Sequence, residues 1–224
     1  MHSSTVENYV KQLYLEEKST NGQMVSMGRL ATVMNVVPGT ATSMVKALSD
    51  SGLVEYEPRT GVRLTNNGRH LALHVLRRHR LVESFLVEVL GLDWTVVHEE
   101  AETLEHVISD RVLERIDAIL GHPTADPHGD PIPNPKGHVH EPRRQSLADC
   151  PTGVTMKIAR VLDQAVGFLQ FAEKSGLIPG ALITVESREP AAEAVWVRVH
   201  AKSSVSLGVV AAARFLVEPV GRGT

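Results

Sequence analysis

The sequence predicts a mainly α protein: an N-terminal winged helix-turn-helix, a helical middle and a small β-rich end. Three observations carry this. Apolar residues repeat at three and four from Thr5 to Leu120. A single tight-hairpin signal, Pro58-Arg59-Thr60-Gly61, interrupts that pattern. From Val154 the pattern changes to short runs of β-type residues between Gly and Pro breaks.

The elements follow in order. Thr5–Lys18 places Val6, Tyr9, Val10, Leu13 and Tyr14 on one helical face, and Ser19-Thr20-Asn21-Gly22 ends it. Met27–Met34 is a short second helix, Val36-Val37-Pro38-Gly39 a turn, and Thr40–Ser51 a third helix closed by Gly52. Leu53–Tyr56 and Val62–Leu64 read as two strands around the hairpin. Thr65 caps one long helix to Leu90. Asp93 caps the helix carrying His98–His106, and Ser109 caps Asp110–Leu120. Gly121–Arg144, rich in proline, reads as a linker or wrapped loop. Irregular spacing makes its histidines, His122, His128, His138 and His140, solvated loop residues. Strands are expected at Val154–Leu162, Ala181–Glu186, Val195–Val199 and Arg214–Glu218, with short helices at Phe168–Lys174 and Gly208–Ala213. The domain reading is 1–73 winged helix, 74–142 helical domain, 143–153 linker and 154–220 β domain.

Charge is unevenly spread. Met1–Arg80 has ten Lys and Arg against six Asp and Glu, about +4; Leu81–Leu120 has ten acids against two Arg, about −8. A basic first third suits a polyanion partner, and an acidic middle suits cations. No apolar run reaches membrane-spanning length and no signal-peptide pattern opens the chain. With a single cysteine, Cys150, there is no internal disulfide framework. The expectation is a cytoplasmic protein with no membrane partner.

Two sets of residues carry candidate chemistry. In helix-turn-helix order the third helix enters the DNA major groove, so Thr40, Thr42, Ser43 and Lys46, with Pro38 at its entry, face base edges and phosphates. Arg59 at the wing tip and Arg63 are phosphate candidates. The second set lies between His79 and His106. His79 and Glu83 are four apart, and His98, Glu102, Glu105 and His106 fall at i, i+4, i+7 and i+8. One helical face of imidazoles and carboxylates is a divalent-metal donor set. Much Leu and Val on more than one face of these helices implies a homodimer reading two half-sites.

Lys46–Val54 (KALSDSGLV), Leu64–Arg69 (LTNNGR), Arg77–Glu83 (RRHRLVE), Leu90–Glu105 (LGLDWTVVHEEAETLE) and Gly129–Pro133 (GDPIP) occur in this order over Thr5–Pro135. Through them the chain resembles the diphtheria toxin repressor family of metal-dependent bacterial regulators. That resemblance implies a dimeric repressor of operator DNA, not an enzyme, with a helical dimerisation and metal-binding domain and an SH3-like third domain. It maps an ancillary metal position onto His79, Glu83 and His98, with Asp163 and Gln164 as the nearest third-domain matches. It maps a primary position onto Glu102, Glu105, His106 and Asn8. Glu102 stands where iron-type members have sulfur. Asn8 stands where iron-type members have a thioether and manganese-type members a carboxylate. Lys11 replaces a further acid of the manganese type, and its ammonium opposes a second cation. Hard oxygen ligands favour Mn2+ over Fe2+, with Zn2+, Co2+ and Ni2+ able to bind in vitro. Two rivals stand beside this reading. One is a winged-helix regulator sensing an organic ligand. The other is a metallohydrolase, for which His98-Glu99-Glu100-Ala101-Glu102 lacks the second histidine of H-E-x-x-H. No small-molecule substrate is expected.

Overall fold

The computed structural model describes residues 3–20, 22–200 and 204–220. The chain forms two compact units. The first draws on residues up to His79, Glu102–Glu114 and Pro133–Val139; the second on Arg80–Ala101, Arg115–Ile132 and the residues from His140 onward.

The first unit holds the winged helix. Helices α1 (Ser4–Ser19) and α2 (Met27–Val33) start at Ser3 and Ser26, whose hydroxyls accept from Val6 and Arg29 backbone N–H groups. Helix α3 (Pro38–Asp50) opens with proline in its first turn, where a missing N–H costs nothing. Strands β1 (Val54–Glu57) and β2 (Gly61–Leu64) pair antiparallel, with Glu55 opposite Arg63. Thr65 caps α4 (Asn66–Glu88) by accepting from Gly68 N at 3.1 Å. Tyr9, Val10, Leu13, Leu30, Val45, Leu48, Val62 and Leu76 form the core beneath these elements. At about 25 cal/mol per Å2 of buried apolar surface, such a core is the main force holding the hairpin against the helices.

Helices α5 (Val97–Leu104) and α6 (Asp110–Ile119) complete the helical middle. Here the structure departs from the expected single face. Helix α5 stops at Leu104, and Val107 and Ile108 N–H groups both return to the Leu104 carbonyl. Glu105 and His106 therefore lie in a turn rather than on the helix.

In the second unit, β3 (Gln145–Ser146), β4 (Thr155–Val161), β5 (Leu182–Glu189), β6 (Ala194–Val199), β7 (Ser204–Gly208) and β8 (Phe215–Pro219) form one antiparallel sheet. Their spatial order is β3-β8-β4-β5-β6-β7. Bulges at Ile158/Arg160 and Val185/Ser187 break the register where strands bend. Helices α7 (Val166–Ser175) and α8 (Val209–Ala212) join them, and the core is built on Ile158, Leu169, Ile183, Val185, Val197 and Phe215. This is the small SH3-like β domain. The stretch 143–153, read as a linker, is part of it: Leu147 and Cys150 are buried in the same core.

Candidate metal centres and nucleic-acid interface

On α3, Thr40, Ser43 and Lys46 are exposed, as is Pro38 at the helix entry, and Thr42 is half-buried. The Thr42 and Ser43 hydroxyls donate to the Pro38 and Gly39 carbonyls one turn back. Arg59 stands at the hairpin tip with a positive φ of 70°. Arg63 differs from expectation. Its guanidinium is paired with Glu55 across the hairpin at 2.5 Å, so a phosphate would have to compete with that carboxylate.

A first polar cluster lies within the first unit. Helix α1 brings Glu7, Asn8 and Lys11; α4 brings Arg78 and His79; the end of α5 and its turn bring Glu102, Glu105 and His106. Lys11 Nζ donates to Glu102 Oε1 at 2.7 Å and to Glu105 Oε1 at 2.6 Å. His79 Nδ1 lies 2.6 Å from the other Glu105 oxygen. His106 Nδ1 lies 2.7 Å from Glu7 Oε2, and Arg78 holds the other Glu7 oxygen at 3.4 Å. Burial pushes the Glu105 carboxyl up. The bond and charge of His79, with the charge of Lys11, outweigh that and hold it below the ordinary carboxylate range. His79, Glu102 and Glu105 each place a donor atom within 4.8 Å of the others. Among the described residues, Asn8 Oδ1 is buried without a hydrogen-bond partner, and His106 Nε2 makes no hydrogen bond but lies 3.3 Å from Glu105 Oε1. Buried polar atoms are normally satisfied. The unsatisfied Asn8 oxygen, on the same helix as Lys11, adds a neutral oxygen donor to this set of carboxylates and imidazoles, which is the donor chemistry of a divalent cation.

The second unit holds another cluster. Glu83 Oε1 meets His98 Nδ1 at 3.2 Å, while Glu83, Asp126 and His128 bring donor atoms within 4.8 Å of one another. All three of the latter are buried. His128 Nε2 is engaged by the Trp94 carbonyl at 2.9 Å. Its Nδ1 faces Glu83 Oε2 at 3.8 Å, too long for a hydrogen bond, and has no other partner. Asp126 Oδ1 accepts from the backbone of His128 and Asp130, both at 2.9 Å. Burial, then the nearby Asp130 and Glu83 charges, push the Asp126 carboxyl up to about 7, against the pull of Arg80 and His128. Burial lowers His128, but attraction to Glu83 and Asp126 raises it overall. Buried carboxylates crowded around one imidazole attract a cation, a role that Arg80 Nε fills in part at 3.7 Å from Asp126 Oδ2.

His79, Glu83 and His98, the expected ancillary set, each place a donor atom within 4.8 Å of the others. His79 is shared with the first cluster through Glu105, and Glu83 contacts His98 directly. Asp163 is paired with Arg214 and accepts from Ala165 N, and Gln164 donates to Asp130 at 2.6 Å, so neither joins a donor cluster. Glu7, Asp126 and His128 were missed. Asp126-Pro127-His128-Gly129 does carry a signal: an acid and an imidazole two residues apart around a proline, before a glycine. Only burial separates this His128 from a solvated loop histidine.

A winged helix whose own first helix reaches into a buried carboxylate–imidazole cluster defines a metal-responsive DNA-binding regulator. The chain belongs to the diphtheria toxin repressor family of iron-dependent repressors. Its residues 1–62 match the model of the iron-dependent repressor N-terminal DNA-binding domain. Residues 65–134 match that family's metal-binding and dimerisation domain, and 145–219 match the FeoA domain. The iron-dependent repressor IdeR of Mycobacterium tuberculosis (strain ATCC 25618 / H37Rv) is 32% identical over 196 residues, 82% of this chain and 84% of that protein. The diphtheria toxin repressor of Corynebacterium diphtheriae is 36% identical over 130 residues, 58% and 56% of the two chains. Among solved structures, a manganese-dependent transcriptional repressor in complex with manganese is 36% identical with a TM-score of 0.84, covering 96% of this chain and 100% of that one. ScaR with bound Zn2+ is 31% identical with a TM-score of 0.76, covering 96% and 99%.

Proposed function

We propose that the chain is a cytoplasmic repressor that binds Mn2+ in preference to Fe2+ and then, as a homodimer, binds operator DNA to control metal homeostasis. The observation that carries this is the joining of α1 to the sensor residues: Glu7 and Lys11 bond His106, Glu102 and Glu105 within the unit that bears α3. Glu102, Glu105 and His106, with Asn8 Oδ1 and His79, would hold one metal. Glu83, Asp126 and His128 would hold another, with His98 beside them. The ancillary set His79, Glu83 and His98 is supported by donor atoms within 4.8 Å of one another, with Glu83 and His98 in contact. Asp163 and Gln164 would have to leave Arg214 and Asp130 to serve. Both clusters offer only oxygen and nitrogen, and the single thiol, Cys150, is buried in the β-domain core. Such donors favour Mn2+; Zn2+, Co2+ and Ni2+ remain competent in vitro. A bound metal supplies charge that ties these residues together.

The chain's own residues do the coupling. Metal favours DNA binding only if it binds the DNA-competent arrangement more tightly, by about 1–3 kcal/mol in typical allostery. Exposed Leu90, Val107, Val112 and Ile119 in or beside the helical middle suit a dimer contact. The test is a DNA-binding titration with Mn2+, Fe2+, Zn2+ and chelator on one probe. Mn2+-dependent specific binding is expected. Specific binding indifferent to chelator would overturn the reading in favour of an organic-ligand sensor.

Two further outcomes follow. Thr40→Ala and Ser43→Ala should change base preference, by about 1–3 kcal/mol for each direct base contact. Lys46→Ala should weaken binding to all sequences and flatten its salt dependence. Competition binding on a panel of operator variants separates the two behaviours, and uniform loss for all three variants would remove the base-reading role.

Metal binding also has a pH signature. The Asp126 carboxyl, raised to about 7, must lose its proton to ligate, and His128 must be neutral. Metal affinity at the second cluster should therefore fall about tenfold from pH 8 to pH 6. Without metal the sign reverses. A carboxyl raised from 3.8 to about 7 costs stability in its ionised form, so its contribution is lost as pH climbs through that window. Calorimetry in two buffers of different ionisation enthalpy measures the protons released. Release that does not change between pH 6 and pH 8 would contradict the assignment.

A further inference from the structure

We infer that Lys11 is a tethered cation that takes one of two cation positions in the first cluster, latching α1 to the sensor residues without metal and limiting that cluster to a single divalent ion. This rests on the proposed metal reading of the cluster and deepens it. Lys11 is 5% exposed, and its ammonium bridges Glu102 Oε1 and Glu105 Oε1 at 2.7 and 2.6 Å. The same two carboxylates belong to the three-residue donor group with His79. The ammonium thus does between two acids what a bridging metal does, with its charge delivered by the chain itself.

The charges of the cluster agree. Glu7, Glu102 and Glu105 bring three negative charges, while Arg78 divides itself between Glu7 and Asp110. Lys11 and one divalent ion bring three positive charges. A second divalent ion would sit beside the ammonium, share its oxygens and leave excess positive charge in a buried site. The arrangement also divides the work. Lys11 reaches from α1 to residues of α5 and its turn, so part of the ordering of α1 is complete before metal arrives. A metal would draw on Asn8 Oδ1, on His106 Nε2, which lies 3.3 Å from Glu105 Oε1, and on His79 and Glu105 Oε2, whose 2.6 Å contact it would replace.

The experiment compares the full chain with Lys11→Glu and Lys11→Met. Mn2+ binding is measured by calorimetry and by electron paramagnetic resonance, and melting is measured in chelator and in Mn2+. Lys11→Glu is expected to take one further Mn2+ per subunit and to show the spectrum of an exchange-coupled pair, because paired metals lie about 4 Å apart. The unmodified chain should show no coupled pair. Lys11→Met is expected to melt lower in chelator and to bind Mn2+ more tightly, so its gain in melting temperature on adding Mn2+ should exceed that of the unmodified chain. If the unmodified chain binds Mn2+ but Lys11→Glu gains no ion and no coupling, Lys11 does not occupy a cation position. An equal melting gain in Lys11→Met and the unmodified chain overturns the assignment too, and that arm stands even if Lys11→Glu fails to fold. Absence of Mn2+ binding in all three overturns the metal reading itself.

Discussion

Glu105→Ala is expected to destabilise the first unit by about 3–5 kcal/mol and to abolish metal-dependent DNA binding. Glu105 is fully buried, and its two oxygens hold different partners: Lys11 on one and His79 on the other. Removing it leaves the buried Lys11 ammonium with Glu102 alone, a carboxylate that is only partly buried. Losing one partner of a buried charge network costs the desolvation of what remains, which exceeds the value of the lost bond. The proposed donor set for metal loses a carboxylate at the same time. Glu105→Gln separates the two effects, since the amide fills the same volume without the charge. The acid side of the stability profile provides a second readout. A carboxyl held below its ordinary value of 4.5 contributes stability above that pH and loses it as pH falls further. Glu105→Gln should therefore lose less stability on acidification than the unmodified chain. Urea denaturation with and without Mn2+ measures both quantities. A Glu105→Ala protein as stable as the original, or one still recruited to DNA by Mn2+, would contradict this account.

The fold was legible where the pattern is local. Apolar spacing in α1 and α3, the Pro58–Gly61 turn and the Thr65 cap each act within a few residues, so the winged helix could be read from the chain directly. The candidate site was legible as residue types but not as a grouping. No Gly or Pro marks the end of α5 in Thr103-Leu104-Glu105-His106-Val107, so the periodic reading ran past Leu104. The stop is what turns Glu105 inward to Lys11 and brings His106 to Glu7. Burial was the other hidden quantity. His128 and Asp126 look like loop residues in a proline-rich segment until Trp94 and the backbone of their own turn close around them. Strand β7 escaped because Ser204-Val205-Ser206-Leu207-Gly208 is short, lies at the sheet edge and fully buries only Leu207. Its pairing partner β6 supplies what its own sequence does not.

The second large effect is expected at a residue with no donor atom in its side chain. Gly129 lies between His128 and Asp130 with φ of 86°, in the turn whose N–H groups converge on Asp126. A Cβ here would stand 2.1 Å from the Ala159 carbonyl oxygen and 2.7 Å from Arg160 Cα. Both are backbone atoms of β4, so neither can rotate away. Gly129→Ala should therefore combine a left-handed backbone penalty of about 1–2 kcal/mol with an overpacking cost of about 1–3 kcal/mol. The displacement would also pass into the second cluster. The His128 carbonyl accepts from Val161 N at 2.9 Å, so pushing this turn off β4 moves His128 and Asp126 away from Glu83. On the proposed assignment, Mn2+ affinity should fall at that cluster and be unchanged at the first. Gly180→Ala is the matched control: its φ is 90°, yet nothing lies within 4 Å of the added carbon. It carries the backbone penalty without the collision and touches neither cluster. Thermal melting and Mn2+ calorimetry on the two variants isolate the steric part. If Gly129→Ala and Gly180→Ala melt alike and bind the same amount of Mn2+, the close approach of β4 does not hold His128 in place.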